Sequence, residues 1–278
     1  MRTLVHLSDL HFGRVDQALL GPLRDLVHAI AADVVVISGD LTQRAKVEEF
    51  EEARAFLDSL PGPQIVVPGN HDISLYNVLR RFARPLSRYR RYITDNLEPV
   101  FIDDEIAVVG VNTARSLTIK DGRVSHEQIA ALRERLSGLA PDITRIVVTH
   151  HPFDLPDHFE KRDLVVRAPL AMEVFAETGV DILMAGHMHA SHAGSTAARY
   201  QIDAYAALVI QAGTATSTRG RGEVNSFNVV RVDAHRVEID RYGWDAVGGK
   251  FDVITTEKFM QAGSVWSPHT DGMLAAGL

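Results

Sequence analysis

The amino-acid sequence predicts an α/β fold in which helices cross over a layered β-sheet. Two observations lead to this prediction. Through residues 3–67, short apolar runs rich in Val and Ile alternate with amphipathic helical segments, and a β-α-β-α-β series is typical of a sheet with crossover helices. After about residue 200, strand-like runs follow one another without helices, which indicates a meander and a second, more antiparallel sheet.

The first part of the chain predicts three buried strands separated by two helices. Apolar residues recur at helical spacing in each helical segment, and Pro61-Gly62-Pro63 interrupts the second one. In order, the predicted elements are a strand over 3–7, a helix around 19–30, a strand over 34–37, a helix over 46–60 and a strand over 65–67.

The stretch 73–95 predicts a helix in pieces, because Pro85 interrupts it. This stretch is rich in arginine, with Arg80, Arg81, Arg84, Arg88, Arg90 and Arg91. The chain as a whole is acidic, so a solvated helix face or a subunit contact is favoured over a nucleic-acid track.

The remainder predicts further strands and two helices. Ser125 and Gln128 form a capping-box pattern at the start of a helix. The predicted elements are a hairpin over 100–102 and 106–111, helices over 125–137 and 170–178, and strands over 146–149, 180–184, 208–211, 227–232 and 237–242. No linker or repeat interrupts them, so one domain is expected over 1–278, with a mainly β part from about residue 200.

Composition restricts the possible functions. The chain has 278 residues, a net charge of -7 and no cysteine. A disulfide, a thiolate metal site and a cysteine nucleophile are therefore excluded, and a nucleic-acid partner is disfavoured. Neither a signal peptide nor a membrane-length apolar stretch is visible in the sequence, so we expect a cytoplasmic protein with no membrane partner. A homo-oligomer remains open.

Metal-binding residue types follow the predicted strands. The candidate donors are Asp9, His11, Asp40, Asn70, His150, His187 and His189. Neighbouring strands lie about 4.8 Å apart, so side chains at their ends can converge. Seven donors exceed the needs of one tetrahedral ion and suit two ions that share a carboxylate. Such a pair activates a bridging water and aligns an in-line displacement.

The donors lie in sequence blocks that resemble the calcineurin-like metallophosphoesterase superfamily. The family pattern is D-x-H, G-D, G-N-H-D/E, H and G-H-x-H. The chain has Asp9-Leu10-His11, Gly39-Asp40, Gly69-Asn70-His71-Asp72, His150 and Gly186-His187-Met188-His189, in the same order. Asp72, the early D-x-H block and the short length are similar to the bacterial class III cyclic-nucleotide phosphodiesterase and glycerophosphodiesterase group.

This resemblance implies a fold, a cofactor and residue roles. The fold would be a four-layer αββα sandwich of two facing mixed β-sheets flanked by helices. One divalent ion would bind Asp9, His11 and His189, another would bind Asn70, His150 and His187, and Asp40 would bridge them. The ions would be Mn, Fe, Zn or Co. His71 would act on the leaving group or the phosphoryl oxygens, and Asp72 would orient His71.

Substrate-binding residues are expected from two loops. Asn112 and Arg115 follow a predicted strand, where an amide and a guanidinium could bind substrate oxygens. Arg219 and Arg221 lie in a loop of small residues that could border the cleft, although such a loop can also be a simple connection. The leading hypothesis is a hydrolase of small phosphodiesters by in-line attack of a metal-bridging hydroxide. A phosphomonoesterase, a nuclease and a non-catalytic scaffold are the alternatives.

Overall fold

The structure is a computed structural model that describes residues 1–74, 82–115, 121–156, 164–219 and 222–269. In chain order its elements are β1 (Arg2–Leu7), α1 (Gln17–Ile30), β2 (Val34–Ile37), α2 (Val47–Asp58), β3 (Gln64–Val66), α3 (Ser87–Tyr92), β4 (Val100–Ile102), β5 (Ile106–Gly110), α4 (His126–Ser137), β6 (Thr144–Val148), α5 (Ala168–Thr178), β7 (Val180–Ala185), β8 (His192–Ser195), β9 (Tyr205–Ala206), β10 (Leu208–Gln211), β11 (Ser226–Asp233), β12 (Arg236–Asp245), β13 (Lys250–Ala262) and β14 (Ser264–Pro268). Short 3₁₀ turns lie at Asn70–Asp72 and Thr196–Ala198.

The strands form two mixed sheets. The larger sheet has the order β3-β2-β1-β11-β12-β13-β14-β9, and the smaller one has the order β4-β5-β6-β7-β10-β8. β1, β2 and β3 are parallel to one another, and so are β5, β6, β7 and β10. The carboxyl ends of parallel neighbours lie at one edge of their sheet, and this is where an open α/β sheet usually binds ligands.

Alternating side chains divide the interior into three apolar layers. In β2, Val35 and Ile37 join the core beneath α1 and α2, whereas Val34 and Val36 join the core between the two sheets. A third core lies between the smaller sheet and the pair α4 and α5. Two facing mixed sheets flanked by helices are the predicted αββα arrangement, so the fold prediction is confirmed.

The prediction of a separate sheet for the strands after about residue 200 was wrong. The meander β11-β12-β13 does not make a second sheet but extends the first one, because β11 pairs antiparallel with β1. The smaller sheet is largely parallel and is built from the middle of the chain. The pattern of a meander shows that its strands are antiparallel neighbours but does not show which free edge they join.

The helix prediction over 73–95 is confirmed only in part. Of this stretch, Ser87–Tyr92 is helical, and Arg80 and Arg81 lie outside the described residues. The capping box is confirmed, since Ser125 Oγ accepts a hydrogen bond from the Gln128 backbone and Gln128 Oε1 accepts one from the Ser125 backbone. None of the helices in the described ranges has the length and apolar character that crossing a bilayer requires.

Candidate metal centre

The predicted donors converge at the carboxyl ends of five strands. Those on the larger sheet follow β1, β2 and β3, and those on the smaller sheet follow β6 and β7. Five of the donor residues are buried, namely Asp9, His11, Asp40, His150 and His189, while Asn70 and His187 are partly exposed. The centre is therefore accessible to solvent at Asn70 and His187, where a substrate can approach.

Three side chains form the first donor group. Asp9 Oδ1 lies 3.5 Å from both His11 Nε2 and His189 Nε2. The two imidazole nitrogens lie 3.4 Å apart, and their rings are stacked. Asp9 and His11 leave the end of β1, whereas His189 follows β7, so this group joins the two sheets.

Three other side chains form the second group. Asn70 Oδ1 lies 3.1 Å from both His150 Nε2 and His187 Nδ1, and these two nitrogens lie 3.2 Å apart. Asn70 follows β3, and the histidines follow β6 and β7. This group also joins the two sheets.

Asp40 lies between the two groups. Its Oδ2 is 3.7 Å from His11 Nε2 and 3.4 Å from His150 Nε2. Its Oδ1 accepts a hydrogen bond from the His71 backbone at 2.9 Å, which fixes the carboxylate plane. One carboxylate oxygen thus faces both donor groups, which is the position of a bridging ligand.

These distances suit metal ions. Donor atoms 2.0–2.2 Å from a tetrahedral ion are separated by roughly 3.3–3.6 Å, and the two groups show separations of that order. Buried Asp9 Oδ1 has no hydrogen-bond partner among the described residues, although an isolated carboxylate oxygen is costly to bury. A cation at this position would satisfy it. Oxygen and imidazole donors fit divalent Mn, Fe, Zn or Co.

Surrounding groups fix the orientation of the donors. His150 Nδ1 donates to the Ser38 carbonyl at 2.8 Å, so that Nε2 keeps its lone pair for a ligand bond. His189 Nδ1 lies 2.7 Å from Thr214 Oγ1 and is positioned in the same way. Asp9 Oδ2 accepts hydrogen bonds from Ser8 Oγ at 2.6 Å and from the His187 backbone at 3.0 Å, which leaves Oδ1 directed at the centre.

The backbone at the donors is strained. Positive φ angles occur at Asp9, His11, Asp40, His187 and His189. A left-handed backbone costs a non-glycine residue on the order of 1–3 kcal/mol, and such residues cluster at functional sites. Because five of the seven donors share this conformation, the turns after the strands direct these side chains inward at a cost in stability.

Two motif glycines are required by close packing. A Cβ on Gly186 would lie 1.8 Å from Ser8 Oγ and 2.8 Å from Asp9 Oδ2, and one on Gly69 would lie 2.1 Å from Asp40 Oδ1. Such approaches are far shorter than van der Waals contact. These glycines therefore let the backbone pass directly against the carboxylates of the candidate centre.

The pKa values of Asp40 and His150 are shifted by burial and by their mutual charge. Burial favours the neutral form of Asp40, but nearby His150, His71 and His11 outweigh it and lower the pKa of this carboxyl well below its ordinary value. Burial also opposes charge on His150, yet Asp40 raises the pKa of this imidazole to about 9. Without metals, a proton on His150 thus compensates the Asp40 carboxylate. Metal ions require neutral imidazoles, so their binding should release protons.

His71 lies beside the donors without belonging to either group. Its ring is 4.9 Å from the His11 ring, edge to face. Nδ1 donates to the Gln43 carbonyl at 2.8 Å, and Nε2 lies 3.1 Å from Arg219 Nη1. Because Arg219 can only donate, Nε2 is the acceptor and the imidazole is neutral in this arrangement. Burial lowers the pKa of His71 despite the opposing charge of Asp40.

The carboxylate of Asp72 bonds to neighbouring loops, and its predicted role of orienting His71 stays a prediction. Its carboxylate accepts hydrogen bonds from the backbones of Gly69, Leu41 and Thr42 at 2.9, 3.2 and 2.9 Å. The Gln43 carbonyl accepts the hydrogen bond of His71 Nδ1. Asp72 is directed away from His71 because it follows within the same 3₁₀ turn, where successive side chains diverge. It fixes the loops that carry Asp40 and Asn70.

The expected substrate-binding residues separate into two groups. Arg115 donates to the carbonyls of Asn112 and Ala114 and contacts Gln128 Oε1, while the Asn112 side chain accepts from the Ala114 backbone. The structure therefore places Asn112 and Arg115 in a network that braces the start of α4, and their substrate-binding role stays a prediction. Arg219 does face the centre through His71. Arg221 lies outside the described residues.

Sequence reasoning missed two residues at the centre. Gln43 holds His71 through a backbone carbonyl, which leaves no signal in the sequence. Thr214 holds His189 through its hydroxyl, and its place in a loop of small residues gave only a weak indication. His151 is buried, lies 2.8 Å from Thr113 Oγ1 through Nδ1, and packs its ring 4.6 Å from the His187 ring. It supports a proposed ligand.

Comparisons with known proteins find curated relatives of this chain. The Glycerophosphodiester phosphodiesterase GpdQ of Enterobacter lignolyticus is 28% identical over 160 residues, which cover 54% of this chain and 56% of that protein. A Probable cyclic nucleotide phosphodiesterase of Rhodococcus erythropolis is 28% identical over 209 residues, which cover 68% and 65% of the two chains. The chain thus spans between about half and two thirds of the length of these curated relatives.

The fold and the family are also found by comparison. Purple acid phosphatase PPD1 from yellow lupin seeds superposes with a TM-score of 0.69 at 12% identity, over 92% of this chain and 53% of that chain. At this identity the match concerns the fold alone. The family model for calcineurin-like phosphoesterase matches residues 2–191, which contain all the proposed donors. The chain therefore belongs to the calcineurin-like phosphoesterase family.

Proposed function

We propose that the protein is a dinuclear-metal hydrolase of small phosphodiesters, acting on cyclic nucleotides or glycerophosphodiesters. The observation that carries this proposal is Asp40 Oδ2, which faces His11 at 3.7 Å and His150 at 3.4 Å. A shared carboxylate oxygen between two donor groups is the arrangement that a two-metal hydrolase uses. Two divalent ions held there would supply Lewis acidity and activate water.

The residues of the chain divide the remaining work. Asp9, His11 and His189 would hold one ion, and Asn70, His150 and His187 would hold the other. Ser38, Ser8 and Thr214 keep the donor atoms directed inward through hydrogen bonds of 2.6–2.8 Å. The strained, buried turns keep the donors in place before substrate arrives, so little reorganisation is needed during the reaction.

His71 and Arg219 would act on the substrate itself. His71 Nδ1 is held by the Gln43 carbonyl, so Nε2 can present a proton to a departing alkoxide once this nitrogen is protonated and no longer accepts from Arg219. Arg219 is partly exposed and lies within hydrogen-bond distance of that nitrogen. Its guanidinium has further donors that match phosphoryl oxygens, and we assign it to substrate binding.

The preference for diesters rests on the named relatives and on charge. Both curated relatives have names that specify phosphodiesterases. A nuclease would need a broad basic surface, which a net charge of -7 disfavours. A phosphomonoesterase is the remaining alternative within the same chemistry, because the donor set binds a phosphoryl group whatever its second substituent is. Cytoplasmic location and self-association stay predictions.

A substrate panel on metal-loaded protein tests the proposal. We expect turnover of bis-nitrophenyl phosphate well above that of mono-nitrophenyl phosphate, together with hydrolysis of a cyclic nucleotide or a glycerophosphodiester. His150→Ala should lose activity and metal, while His126→Ala, at an exposed histidine on α4, serves as the matched control. A fully loaded enzyme that prefers the monoester would contradict the diesterase assignment and favour the phosphomonoesterase.

A further inference from the structure

A pocket lined by arginine lies outside the metal centre. It has a volume of about 500 Å³ and is lined by Arg84, Arg88 and Arg91 together with Val47, Ala83, Ser87 and Tyr92. We call these seven residues the basic pocket. The arginines are spaced by four and three residues, which places them on one side of α3 and of the turn before it. No proposed metal ligand lines it.

Carboxylates in the described part of the chain do not neutralise the guanidiniums of the basic pocket. Within the described ranges, none of the three arginines forms an ion pair, whereas Arg54 and Arg133 elsewhere on the surface do. Arg88 donates from Nη1 to the Ala45 carbonyl at 2.7 Å, which fixes its position and leaves its other N–H groups available. Three like charges near one cavity repel one another, so an anion there would be stabilising.

A simple solvated helix face does not explain this arrangement. Arg84, Arg90 and Arg91 are all exposed, but Arg90 lies outside the pocket and donates to the Asp95 carbonyl. The Arg91 guanidinium, in contrast, lies 5.5 Å from the centre of the Tyr92 ring, a cation–π contact that holds it beside the cavity. The positive groups are therefore positioned around a concave space on a chain whose net charge is -7.

The charge and size of the basic pocket define its ligand. Guanidinium forks match phosphate oxygens, and three of them suit more than one negative charge. Small-molecule sites have volumes of about 300–1,000 Å³, so the cavity is large enough for an organic group beside the anion. We propose that the basic pocket binds a small organic molecule with one or more phosphate groups, at a site distinct from the metal centre.

The test uses the metal-loaded full chain and a fluorescent probe. Hydroxypyrene trisulfonate carries several negative charges, and its sulfonates are weak metal ligands, so its anisotropy should report the basic pocket. We expect saturable binding, with displacement by inorganic phosphate but not by sodium chloride at equal ionic strength. Arg88→Gln should weaken binding on the order of tenfold, and the pair Arg84→Gln with Arg91→Gln should weaken it further.

Arg90→Gln is the matched control, since it removes the same charge from the same helix. It should bind the probe like the unaltered chain, and all variants should keep their metal content and circular dichroism. Equal weakening by Arg90→Gln would show diffuse attraction to the helix and overturn the proposal. Unchanged binding in the pocket variants would overturn it too, as would variants that alter self-association in sedimentation without altering probe binding.

Discussion

Replacing His71 with alanine tests the leaving-group role most directly. The imidazole donates Nδ1–H to the Gln43 carbonyl, so only Nε2 can deliver a proton, and it can do so only in the cationic form. At its ordinary pKa of about 6.5, roughly a quarter of the imidazole would be cationic at pH 7. Burial lowers the pKa of His71, so the cationic fraction in the protein is smaller still.

This protonation state sets the expected magnitude. A positioned proton donor typically raises the rate of the catalysed step on the order of 10²–10⁴-fold. Because little of the donor form exists at pH 7, we expect His71→Ala to lower kcat on an alkyl diester by about 10²-fold, at the lower end of that range. The loss should grow toward pH 6, since protonation increases as the pH falls through the pKa. The kcat of His71→Ala on a nitrophenyl diester should fall less, because that leaving group departs without a proton.

The assay measures kcat for both diesters between pH 6 and pH 8, with metal content determined in parallel. His126→Ala, which removes an exposed imidazole, controls for the loss of a histidine. Equal losses on the two diesters at every pH would refute the leaving-group role and leave stabilisation of the phosphoryl oxygens as the explanation. Loss of a metal ion from His71→Ala would instead make His71 a ligand.

Four further changes have defined outcomes. Elemental analysis after reconstitution with Mn or Zn should give two ions per chain, and chelation should abolish activity that added metal restores; a single ion would contradict the shared centre. Asp40→Asn should reduce kcat and metal content more than Asp9→Asn, because Asp40 faces both donor groups, and equal losses would remove support for the bridge. Gly186→Ala should lose metal, since its Cβ would lie 1.8 Å from Ser8 Oγ. In the metal-free chain, burial and Asp40 raise the pKa of Asp72 to about 6, so its contribution to the free energy of unfolding is present below its unfolded pKa near 3.9 and is lost as the pH rises through 6. That contribution is about 3 kcal/mol. Urea unfolding of the metal-free chain from pH 4 to pH 7 should show a free energy of unfolding that falls more steeply with pH for wild type than for Asp72→Asn. The same dependence on pH in both proteins would contradict this prediction.

The position of the candidate metal centre could be predicted from sequence because its donors follow continuous apolar runs. A buried strand such as Val34–Ile37 can be recognised from its own residues, without knowledge of the strands that pair with it. A carboxylate such as Asp40, close after such an apolar run, then marks the end of the strand as a candidate site. The resemblance to the family then supplied the expected grouping of donors. In this respect the structure agrees with the expected positions of all seven side chains around one centre.

Side-chain direction and long-range pairing could not be predicted in the same way. Asp72 follows His71 in the chain, but its carboxylate reaches Gly69 and Thr42 instead, and sequence order says nothing about that direction. β13 was not predicted at all, because most of its residues are exposed and it lacks a regular alternation of apolar and polar side chains. Pairing of β11 with β1 depends on residues at opposite ends of the chain.

The candidate donors come from both sheets, and this arrangement affects the stability of the fold. A chain without cysteine has no disulfide to fasten its layers. Ions bound between the sheets would be cross-links, since His11 and His189 lie 178 positions apart in the chain and meet at 3.4 Å. Ions that bind only the folded chain at 100 times their dissociation constant add about 2.7 kcal/mol to its stability. Substitutions that weaken metal affinity should therefore remove this stabilisation between the two sheets. They should lower the melting temperature as well as the turnover.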